Sequence, residues 1–359
     1  MSDVTETIVR RTIELAQVPA PTGCEGERAA IVTSWWERDR LAEVHLDDAG
    51  NVWGRARDGD GPIVILCAHL DTVFGPEIPH GVRVDGDTLI GPSVGDDSVG
   101  VAALSAAGVA LPGGRLPVWL LASVGEEGLG NLRGATAALD DPPSSVGAFV
   151  AVEGNYLGRV STVGVGSVRR RIRVIGPGGH AWEDADAPSA VHHVASLTAA
   201  ITSSPPRSGT SVNIGRIGGG EGINMRAREA WFEIDLRADD PKELAALARA
   251  VDEVLSVDDP RIAVEQDVLG ERPAGRIDGD HPLVRAARQA LDEVAIPVVT
   301  PATSTDANAA HARGIPAIAV GVTRGSGEHT GQEWIQTGPI EAGLRALART
   351  IERFEELSA

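Results

Sequence analysis

Apolar residues in the first part of the chain fall into short continuous runs that alternate with segments of helical spacing. Apolar runs occupy residues 63–67, 118–122 and 149–152, and helical spacing covers residues 3–17 and 101–111. Continuous apolar runs of this length are typical of parallel strands that are buried on both faces. Strands that alternate with helices build parallel sheets. The pattern therefore predicts an α/β fold with a mostly parallel central sheet and helices on both faces.

The hydrophobic pattern changes near residue 168. Residues 169–175 alternate with period two, which is typical of a half-exposed strand. The segments that follow read as a helix, two strands, a helix and a strand, at 188–202, 210–216, 227–237, 242–255 and 262–268. This βαββαβ order predicts a ferredoxin-like unit of antiparallel strands.

The α/β pattern returns after the ferredoxin-like unit. A helix at 281–294, a strand at 317–322 and a long amphipathic helix at 339–357 end the chain. We therefore predict a discontinuous first domain, residues 1–167 and 273–359, and an inserted second domain, residues 168–272.

Charge and cysteine content narrow the classes of function. The 359 residues carry 32 basic and 51 acidic side chains and a net charge of −19, which argues against nucleic-acid or anionic-membrane partners. Cys24 and Cys67 do not form a C-x-x-C pair, so a thiolate zinc site is not expected. There is no secretory leader pattern and no apolar run near 18 residues, and we expect a cytoplasmic protein.

A histidine and an aspartate follow the first apolar run. His69 and Asp71 lie where open α/β sheets build their sites, at the carboxyl end of a strand. Asp71 is close enough to accept the proton of one ring nitrogen, which would leave the other nitrogen for a metal. A histidine in the core at a strand end is an equally good interpretation of these two residues alone.

Further polar residues follow other strands and glycine-rich turns. The complete set has two histidines and several carboxylates: His69, Asp71, Asp96, Asp97, Glu126, Glu127, Glu153 and His329. Nitrogen and oxygen ligands without cysteine suit Zn²⁺, Mn²⁺ or Co²⁺. The set is too large for one tetrahedral ion, and it suits two ions about 3.5–4 Å apart that share a bridging carboxylate.

The adjacent pair Glu126 and Glu127 indicates a division of roles. Two neighbouring carboxylates in a pocket repel each other, and the pKa of one rises unless a cation lies between them. A metal on Glu127 would leave Glu126 as a general base toward water. A solvated charge pair is the alternative, but the pair follows an apolar strand and has glycines on both sides.

Six short motifs follow one another along the chain: AHLDTV at 68–73, GDDSVG at 95–100, GEEG at 125–128, VEG at 152–154, GPGGHA at 176–181 and EHTGQEWI at 328–335. In these motifs and their order the chain resembles the family of co-catalytic zinc exopeptidases and deacylases, which includes bacterial glutamate carboxypeptidase, peptidase T, the aminoacylases, acetylornithine deacetylase and succinyl-diaminopimelate desuccinylase. The resemblance covers nearly the whole chain.

The resemblance implies a complete set of metal ligands. Asp96 would bridge two divalent ions, with zinc expected and cobalt or manganese possible. His69 and Glu153 would complete one site, and Glu127 and His329 would complete the other. These assignments follow from the family motifs.

The resemblance also implies catalytic and substrate-binding residues. Asp71 would orient the first metal-binding histidine, and Glu126 would act as general base. His180, on the inserted lid domain, would reach the site of a neighbouring subunit and stabilise the oxyanion. Asn224 matches a lid residue that contacts substrate, and Arg272 matches a residue that binds a substrate carboxylate.

The chain departs from the family pattern at a few positions. Ser98 stands where a lysine commonly follows the aspartate pair, and Asn224 is followed by Met225 and Arg226, where the family often has an apolar residue and a proline. None of these touches an expected metal ligand. The bond between Asp96 and Asp97 resembles one that is often cis in the family, and we predict a cis peptide there.

A weaker candidate lies in the loop 304–308. Thr305 or Asp306 is expected to cap the helix that follows, with a direct role near the substrate pocket as the alternative.

Together these features predict a homodimeric, two-metal hydrolase, with residues 168–272 as lid and dimerisation domain. Its expected substrate is a small peptide with a free carboxylate, cleaved as by an exopeptidase or a di- or tripeptidase. An N-acyl-amino-acid deacylase is the alternative within this class. A non-catalytic peptide-binding relative is the alternative outside it.

Overall fold

The computed structural model describes residues 2–111, 113–203, 207–256 and 259–358. The chain forms two compact units, Met1–Gly164 with Arg276–Ala359, and Val165–Gly275. These limits lie within a few residues of the bounds that we predict from the hydrophobic pattern. The assignment of the second unit as a lid and dimerisation domain stays a prediction.

The described residues contain nine α-helices: α1 (Asp3–Ala16), α2 (Gly26–Arg38), α3 (Val99–Ala110), α4 (Arg133–Asp140), α5 (Ala190–Thr202), α6 (Pro241–Leu255), α7 (Pro282–Glu293), α8 (Ala307–His311) and α9 (Ile340–Leu357). Helix α9 shows why they form, because Ile340, Leu344, Leu347, Ile351 and Phe354 are buried along one face at helical spacing. Within the described parts of the chain, no helix combines the length and the apolar character needed to cross a bilayer.

The strands of the described residues are β1 (Ala42–Leu46), β2 (Val52–Arg57), β3 (Ile63–His69), β4 (Arg83–Asp85), β5 (Thr88–Ile90), β6 (Val118–Ser123), β7 (Val146–Val152), β8 (Val160–Ser161), β9 (Val163–Gly164), β10 (Gly166–Ile175), β11 (Thr210–Gly219), β12 (Glu229–Ala238), β13 (Ala263–Arg272), β14 (Gly275–Arg276), β15 (Ala302–Thr303), β16 (Ala317–Val320), β17 (Gly325–Ser326) and β18 (Trp334–Gln336).

The first unit contains a seven-stranded sheet in the order β1-β2-β6-β3-β7-β16-β8. The four strands in its middle, β6, β3, β7 and β16, are parallel, and the strands toward both edges pair antiparallel. The predicted mostly parallel sheet is therefore confirmed. Because the middle strands share one direction, their carboxyl ends meet at one edge, where His69 lies opposite Ser123.

Strand β3 shows how the sheet is covered on both faces. All its residues are buried. Val64 and Leu66 belong to one apolar cluster, which contains residues of α1, α3 and α9, whereas Ile65 and Cys67 belong to another, which contains residues of α4 and α8. Successive side chains of a strand point to opposite faces, so a continuous apolar run is what a sheet between two helical layers requires.

The second unit has the βαββαβ order that the sequence predicts. Its antiparallel sheet runs β11-β12-β10-β13, and α5 and α6 pack on one face. Phe232, Ile234 and Leu236 of β12 alternate into the apolar core of this unit. The ferredoxin-like arrangement of this insertion is confirmed.

A smaller sheet joins two loops of the first unit that are far apart in sequence. Strand β18 pairs with β5, with Trp334 opposite Ile90 and Gln336 opposite Thr88. The segment that carries His329 is thereby fixed beside the segment that leads to Asp96.

The fold predicts a pH-dependent contribution from His311 in the last turn of α8. Burial lowers the pKa of His311 to about 4 from its ordinary 6.5. The unfolded chain binds this proton more readily, so the contribution to stability is present above pH 6.5 and is lost as the pH falls toward 4. When the pH falls from 7 to 5, the unfolding free energy of the parent protein should drop by about 1–2 kcal/mol more than that of His311→Gln, which has no such group to protonate. Urea unfolding at both pH values measures the difference, and parallel losses in the two proteins would contradict it.

Candidate metal centre

The carboxyl edge of the parallel strands carries most of the candidate site. His69 is the last residue of β3, Glu127 follows the end of β6, and Glu153 directly follows β7. Asp96 lies in the turn before α3, and His329 lies in the loop between β17 and β18. Five side chains that are spread over the sequence are thus brought to one edge of the sheet, as the rule for open α/β sheets requires.

The carboxylate of Asp96 lies between two histidines. Its Oδ1 is 2.9 Å from Nε2 of His69, and its Oδ2 is 3.2 Å from Nε2 of His329. Nε2 of His329 also lies 3.0 Å from Oε1 of Glu127. Each oxygen of Asp96 therefore faces a different histidine, which is the arrangement of a carboxylate that bridges two centres.

Among the residues that the structure describes, potential metal-ligating atoms gather in three overlapping groups. In each group the atoms lie within 4.8 Å of one another: His69, Asp96 and Glu153; Asp96, Glu127 and His329; and His69, Glu126 and Glu127. Imidazole nitrogens and carboxylate oxygens at such distances fit divalent ions of the Zn²⁺, Co²⁺ and Mn²⁺ type. Asp96 is common to the first two groups, and the side chain of Glu126 is 6 % exposed.

Buried carboxylates give the site an excess of negative charge. Burial raises the pKa of Glu153 well above its ordinary value, and the charges of Asp97 and Glu126 add to the rise. Burial also raises the pKa of Asp97 well above its ordinary value. Carboxylates in such surroundings need protons or cations to compensate them. The electrostatics of the site therefore favour bound cations.

The pKa values of the two histidines are also raised, which favours their positively charged form. Hydrogen bonds to Asp96 and Glu127 raise the pKa of His329 to about 10. Burial lowers the pKa of His69, but the nearby carboxylates of Asp71 and Asp96 outweigh burial and raise this pKa well above its ordinary value. Burial likewise acts to raise the pKa of Asp96, but hydrogen bonds from both histidines outweigh it and lower that pKa.

Asp71 contacts His69 mainly through its main chain. Nδ1 of His69 lies 3.0 Å from the backbone oxygen of Asp71 and 3.5 Å from its carboxylate Oδ1. A proton on Nδ1 that is donated to this carbonyl leaves Nε2 for a metal. The carboxylate itself accepts the amides of Glu126 and Glu127, both at 2.9 Å, and the hydroxyl of Thr22 at 2.8 Å. Asp71 thus also fixes the turn that carries the glutamate pair.

The peptide bond between Asp96 and Asp97 is cis, which confirms the prediction. The two carboxylates take separate surroundings. Asp96 faces the histidines, whereas Oδ1 of Asp97 accepts the amide of Gly154 at 2.8 Å and Oδ2 accepts the amide of His69 at 3.3 Å.

In the loop 304–308, the side chain of Thr305 accepts a hydrogen bond at the start of α8, as predicted, whereas the side chain of Asp306 does not cap this helix. Oγ1 of Thr305 accepts the amide of Ala307 at 3.2 Å, at the start of α8. The carboxylate of Asp306 instead accepts the hydroxyl of Ser123 and, at 3.4 Å, the thiol of Cys67. Asp306 therefore lies beneath the ends of β3 and β6, and the sequence offers no local signal for such a distant contact.

Two buried charged residues next to the site are absent from the sequence-based set. Glu333 is 0 % exposed and accepts the amides of Ser93, Gly95 and Asp96. Arg28 is also 0 % exposed and donates to the hydroxyl of Ser93. The sequence gives only a weak indication of these two buried charges: Glu333 lies within the EHTGQEWI motif, and Arg28 lies beside apolar positions of α2.

Three predicted site residues belong to the second unit. His180 is exposed, and its neighbour Ala181 donates its amide to the backbone oxygen of Asn224 at 2.9 Å, so these two loops lie side by side. Arg272 ends β13 and is 5 % exposed. The roles of His180, Asn224 and Arg272 toward substrate stay predictions.

A sequence model of peptidase family M20/M25/M40 matches residues 65–353. The chain belongs to this family. The match includes the strand end at His69, the Asp96 turn, the glutamate pair and the His329 loop, and it confirms the resemblance of the six motifs. M20/M25/M40 is a peptidase family whose M20 members are typically metal-dependent.

Solved structures with the same fold include two peptidases. Aminopeptidase PepT from Bacillus cereus is 23% identical, with 99% of each chain covered and a TM-score of 0.79. A tripeptidase from Staphylococcus aureus is 19% identical, with 98% of this chain and 99% of that chain covered and a TM-score of 0.82. At these identities the likeness shows a shared fold.

A shorter match links the chain to a curated relative. A putative LysW-lysine/LysW-ornithine hydrolase from Pyrococcus abyssi is 40% identical over 78 residues, which is 22% of this chain and 22% of the relative. The matched segment therefore spans about a fifth of the length of that relative.

The contacts of Asp71 generate a prediction about stability. Asp71→Asn leaves one oxygen where two oxygens now accept the amides of Glu126 and Glu127. The variant should lose about 1–3 kcal/mol of unfolding free energy, because a buried amide loses its acceptor. Urea unfolding in the presence of a chelator measures this loss without a contribution from metal.

Thr22→Val is the matched control for Asp71→Asn, because it removes one donor to the same carboxylate and leaves both amide contacts in place. Its loss should be the smaller of the two. Equal stability of Asp71→Asn and the parent protein would show that the carboxylate does not fix the turn.

Proposed function

We propose that this chain is a two-metal exopeptidase or di- or tripeptidase that hydrolyses the amide bond of a small peptide with a free carboxylate. The observation that carries the proposal is the carboxylate of Asp96, which lies between His69 and His329 and is common to two groups of potential ligands. Membership in the M20/M25/M40 family supports the reaction class.

The proposed ligands divide between two sites. Asp96 with His69 and Glu153 would hold one ion, and Asp96 with Glu127 and His329 would hold the other. Zinc is the expected ion, because the donors are imidazoles and carboxylates, and cobalt and manganese suit the same donors. The raised pKa values of Glu153 and Asp97 support binding of divalent cations, whose charge would compensate the ionised carboxylates.

When bound, the two ions would supply Lewis acidity, which polarises the substrate carbonyl and makes a water molecule more acidic. Glu126 would accept a proton from the attacking water as the oxygen of that water bonds to the carbonyl carbon. Glu126 would then deliver this proton to the amine as the carbon–nitrogen bond breaks. The burial of Glu126 and its place beside Glu127 and His69 support this role.

The second unit would supply contacts to substrate. His180 would donate a hydrogen bond to the oxyanion in the site of a neighbouring subunit, and Asn224 would contact the substrate. Arg272 would bind the substrate carboxylate, for which a guanidinium is well shaped. A homodimer formed through residues 168–272 belongs to this proposal, and the exposure of His180 on its loop supports it.

A deacylase is the second candidate function. The segment that is 40% identical to a putative LysW-lysine/LysW-ornithine hydrolase favours an amino acid such as lysine or ornithine, joined through an amide to another group, as substrate. The net charge of −19 is compatible with a cationic substrate. The same ligands and the same general base would serve both candidates.

Metal removal and a substrate panel test the function. Dialysis against a chelator should abolish hydrolysis, and added Zn²⁺, Co²⁺ or Mn²⁺ should restore it with two ions bound per chain.

Dipeptides, tripeptides and N-acyl amino acids should then be compared by kcat/KM. Preference for unblocked peptides supports the peptidase, and preference for N-acyl lysine or ornithine supports the deacylase. A chain that binds no divalent ion and hydrolyses none of these substrates would instead be a peptide-binding relative.

Replacement of the proposed general base separates catalysis from metal binding. Glu126→Gln should keep two ions per chain but lower kcat by about 10²–10⁴-fold, because the amide cannot accept the proton of the water. Metal analysis and steady-state kinetics on the same preparation measure both effects. Glu126→Asp is the matched control, since it keeps the carboxylate and should retain more turnover than Glu126→Gln. Turnover of Glu126→Gln at the rate of the parent protein would reject this base.

A further inference from the structure

The carboxylate of Glu333 accepts three backbone amides of the turn that carries Asp96. Its Oε1 accepts the amides of Gly95 and Asp96, each at 2.7 Å, and its Oε2 accepts the amide of Ser93 at 3.0 Å. The side chain is 0 % exposed. The two side-chain oxygens of Glu333 together accept three backbone amides of one short segment, so this residue fixes the course of the turn.

The first residue of the turn needs such support. Ser93 has φ 54° and ψ 19°, a left-handed conformation that non-glycine residues adopt at a cost. Glu333 accepts its amide, and Nη2 of Arg28 donates to its hydroxyl at 2.9 Å. Arg28 also donates to the backbone oxygen of Leu70 at 3.1 Å, which ties the same turn to the end of β3.

Gly95 permits the close approach of the carboxylate. A Cβ atom at this position would lie 2.7 Å from Oε1 of Glu333 and 2.9 Å from Cβ of Asn155. A side chain at this position would force Glu333 and Asn155 to shift, so the glycine permits the contact with Glu333. The first glycine of the GDDSVG motif and the second glutamate of the EHTGQEWI motif are thus in direct contact.

Glu333 also anchors the loop that carries His329. The amide of Glu333 donates to the backbone oxygen of Thr330 at 3.2 Å, and its backbone oxygen accepts the amide of Gly91 at 2.8 Å. His329 itself has a positive φ of 61° within this tight turn. One residue therefore joins the turn before Asp96 to the turn after His329.

The two proposed metal sites depend on this residue to different extents. His69 and Glu153 follow strands of the central sheet, which fixes them without Glu333. His329 and Asp96 both lie in turns that Glu333 joins, and their side chains are 3.2 Å apart. We propose that Glu333 is a positioning residue that sets the geometry of the site formed by Asp96, Glu127 and His329. This inference rests on the proposed two-metal function.

Stepwise metal binding by Glu333→Gln tests the proposal. An amide offers one acceptor oxygen, so it cannot satisfy the amides on both sides of the present carboxylate. Titration of the chelator-treated protein with Zn²⁺ in a calorimeter, and with Co²⁺ by its visible spectrum, gives both dissociation constants. One constant should rise about 10–100-fold, and the other should change much less. Saturating metal should still give two ions per chain.

Glu355→Gln is the matched control. Glu355 also accepts backbone amides from a distant segment, Arg115 at 3.0 Å and Leu116 at 3.3 Å, and it pairs with Arg57. Its loss should lower the unfolding free energy and leave both metal constants unchanged. Glu333→Asp keeps a carboxyl group with two acceptor oxygens but a shorter reach, and it should show a smaller shift in the same constant. It also serves as the test if the glutamine variant does not fold.

The possible results separate this inference from the proposed function. A selective rise of one constant in Glu333→Gln, or in Glu333→Asp, with both constants unchanged in Glu355→Gln supports the positioning role. Unchanged constants, or an equal rise of both, would overturn it while a parent protein that binds two ions and hydrolyses its substrate leaves the proposed function in place. A parent protein that binds no divalent ion would overturn the proposed function and this inference together.

Discussion

The desolvation of several carboxylates at one edge of a parallel sheet is the constraint on which the rest of the site depends. Burial raises the pKa values of Asp97 and Glu153 well above their ordinary values, and it raises the pKa of Glu333 to about 8. Groups of this kind are stable only where hydrogen bonds and positive charge compensate them. Arg28 supplies one such charge. Burial lowers its pKa to about 10, and nearby carboxylates, Asp97 and Glu333 among them, oppose this shift, so the guanidinium stays positively charged at neutral pH. The remaining compensation comes from the histidines and from any cation that binds.

The architecture could be predicted from the sequence because it depends on the spacing of apolar residues within short segments. An apolar run such as 63–67 can be buried on both faces only between two helical layers, and the period-two pattern of 169–175 requires one exposed face. Both expectations are met by β3 and β10. The side chains that gather around Asp96 were also visible, because each follows a strand or a glycine-rich turn and the ends of parallel strands meet at one edge.

The supporting contacts could not be predicted, because each joins residues that are distant in sequence or uses main-chain atoms. Asp306 reaches Ser123 across the sheet edge, and Glu333 reaches the amides before Asp96 across more than 200 positions. The contact of Asp71 with His69 runs mainly through a backbone oxygen, which any residue type would offer. Periodicity and motif spacing carry no information on such contacts. They follow from the way in which the loops fold back over the sheet, so only the three-dimensional structure reveals them.

This division between sheet and loops has a consequence for how the site is organised. Ligands that follow β3 and β7 take their positions from the buried sheet, whereas Asp96 lies in a short π-helical turn, Val94–Ser98, that is distorted at Asp96 and Asp97, and His329 lies in a loop. A loop ligand can be as well fixed as a strand ligand only if buried polar contacts replace the missing backbone ladder. The three amides on Glu333 provide that replacement. A buried acidic side chain beside the site therefore holds two of the ligand-bearing segments together.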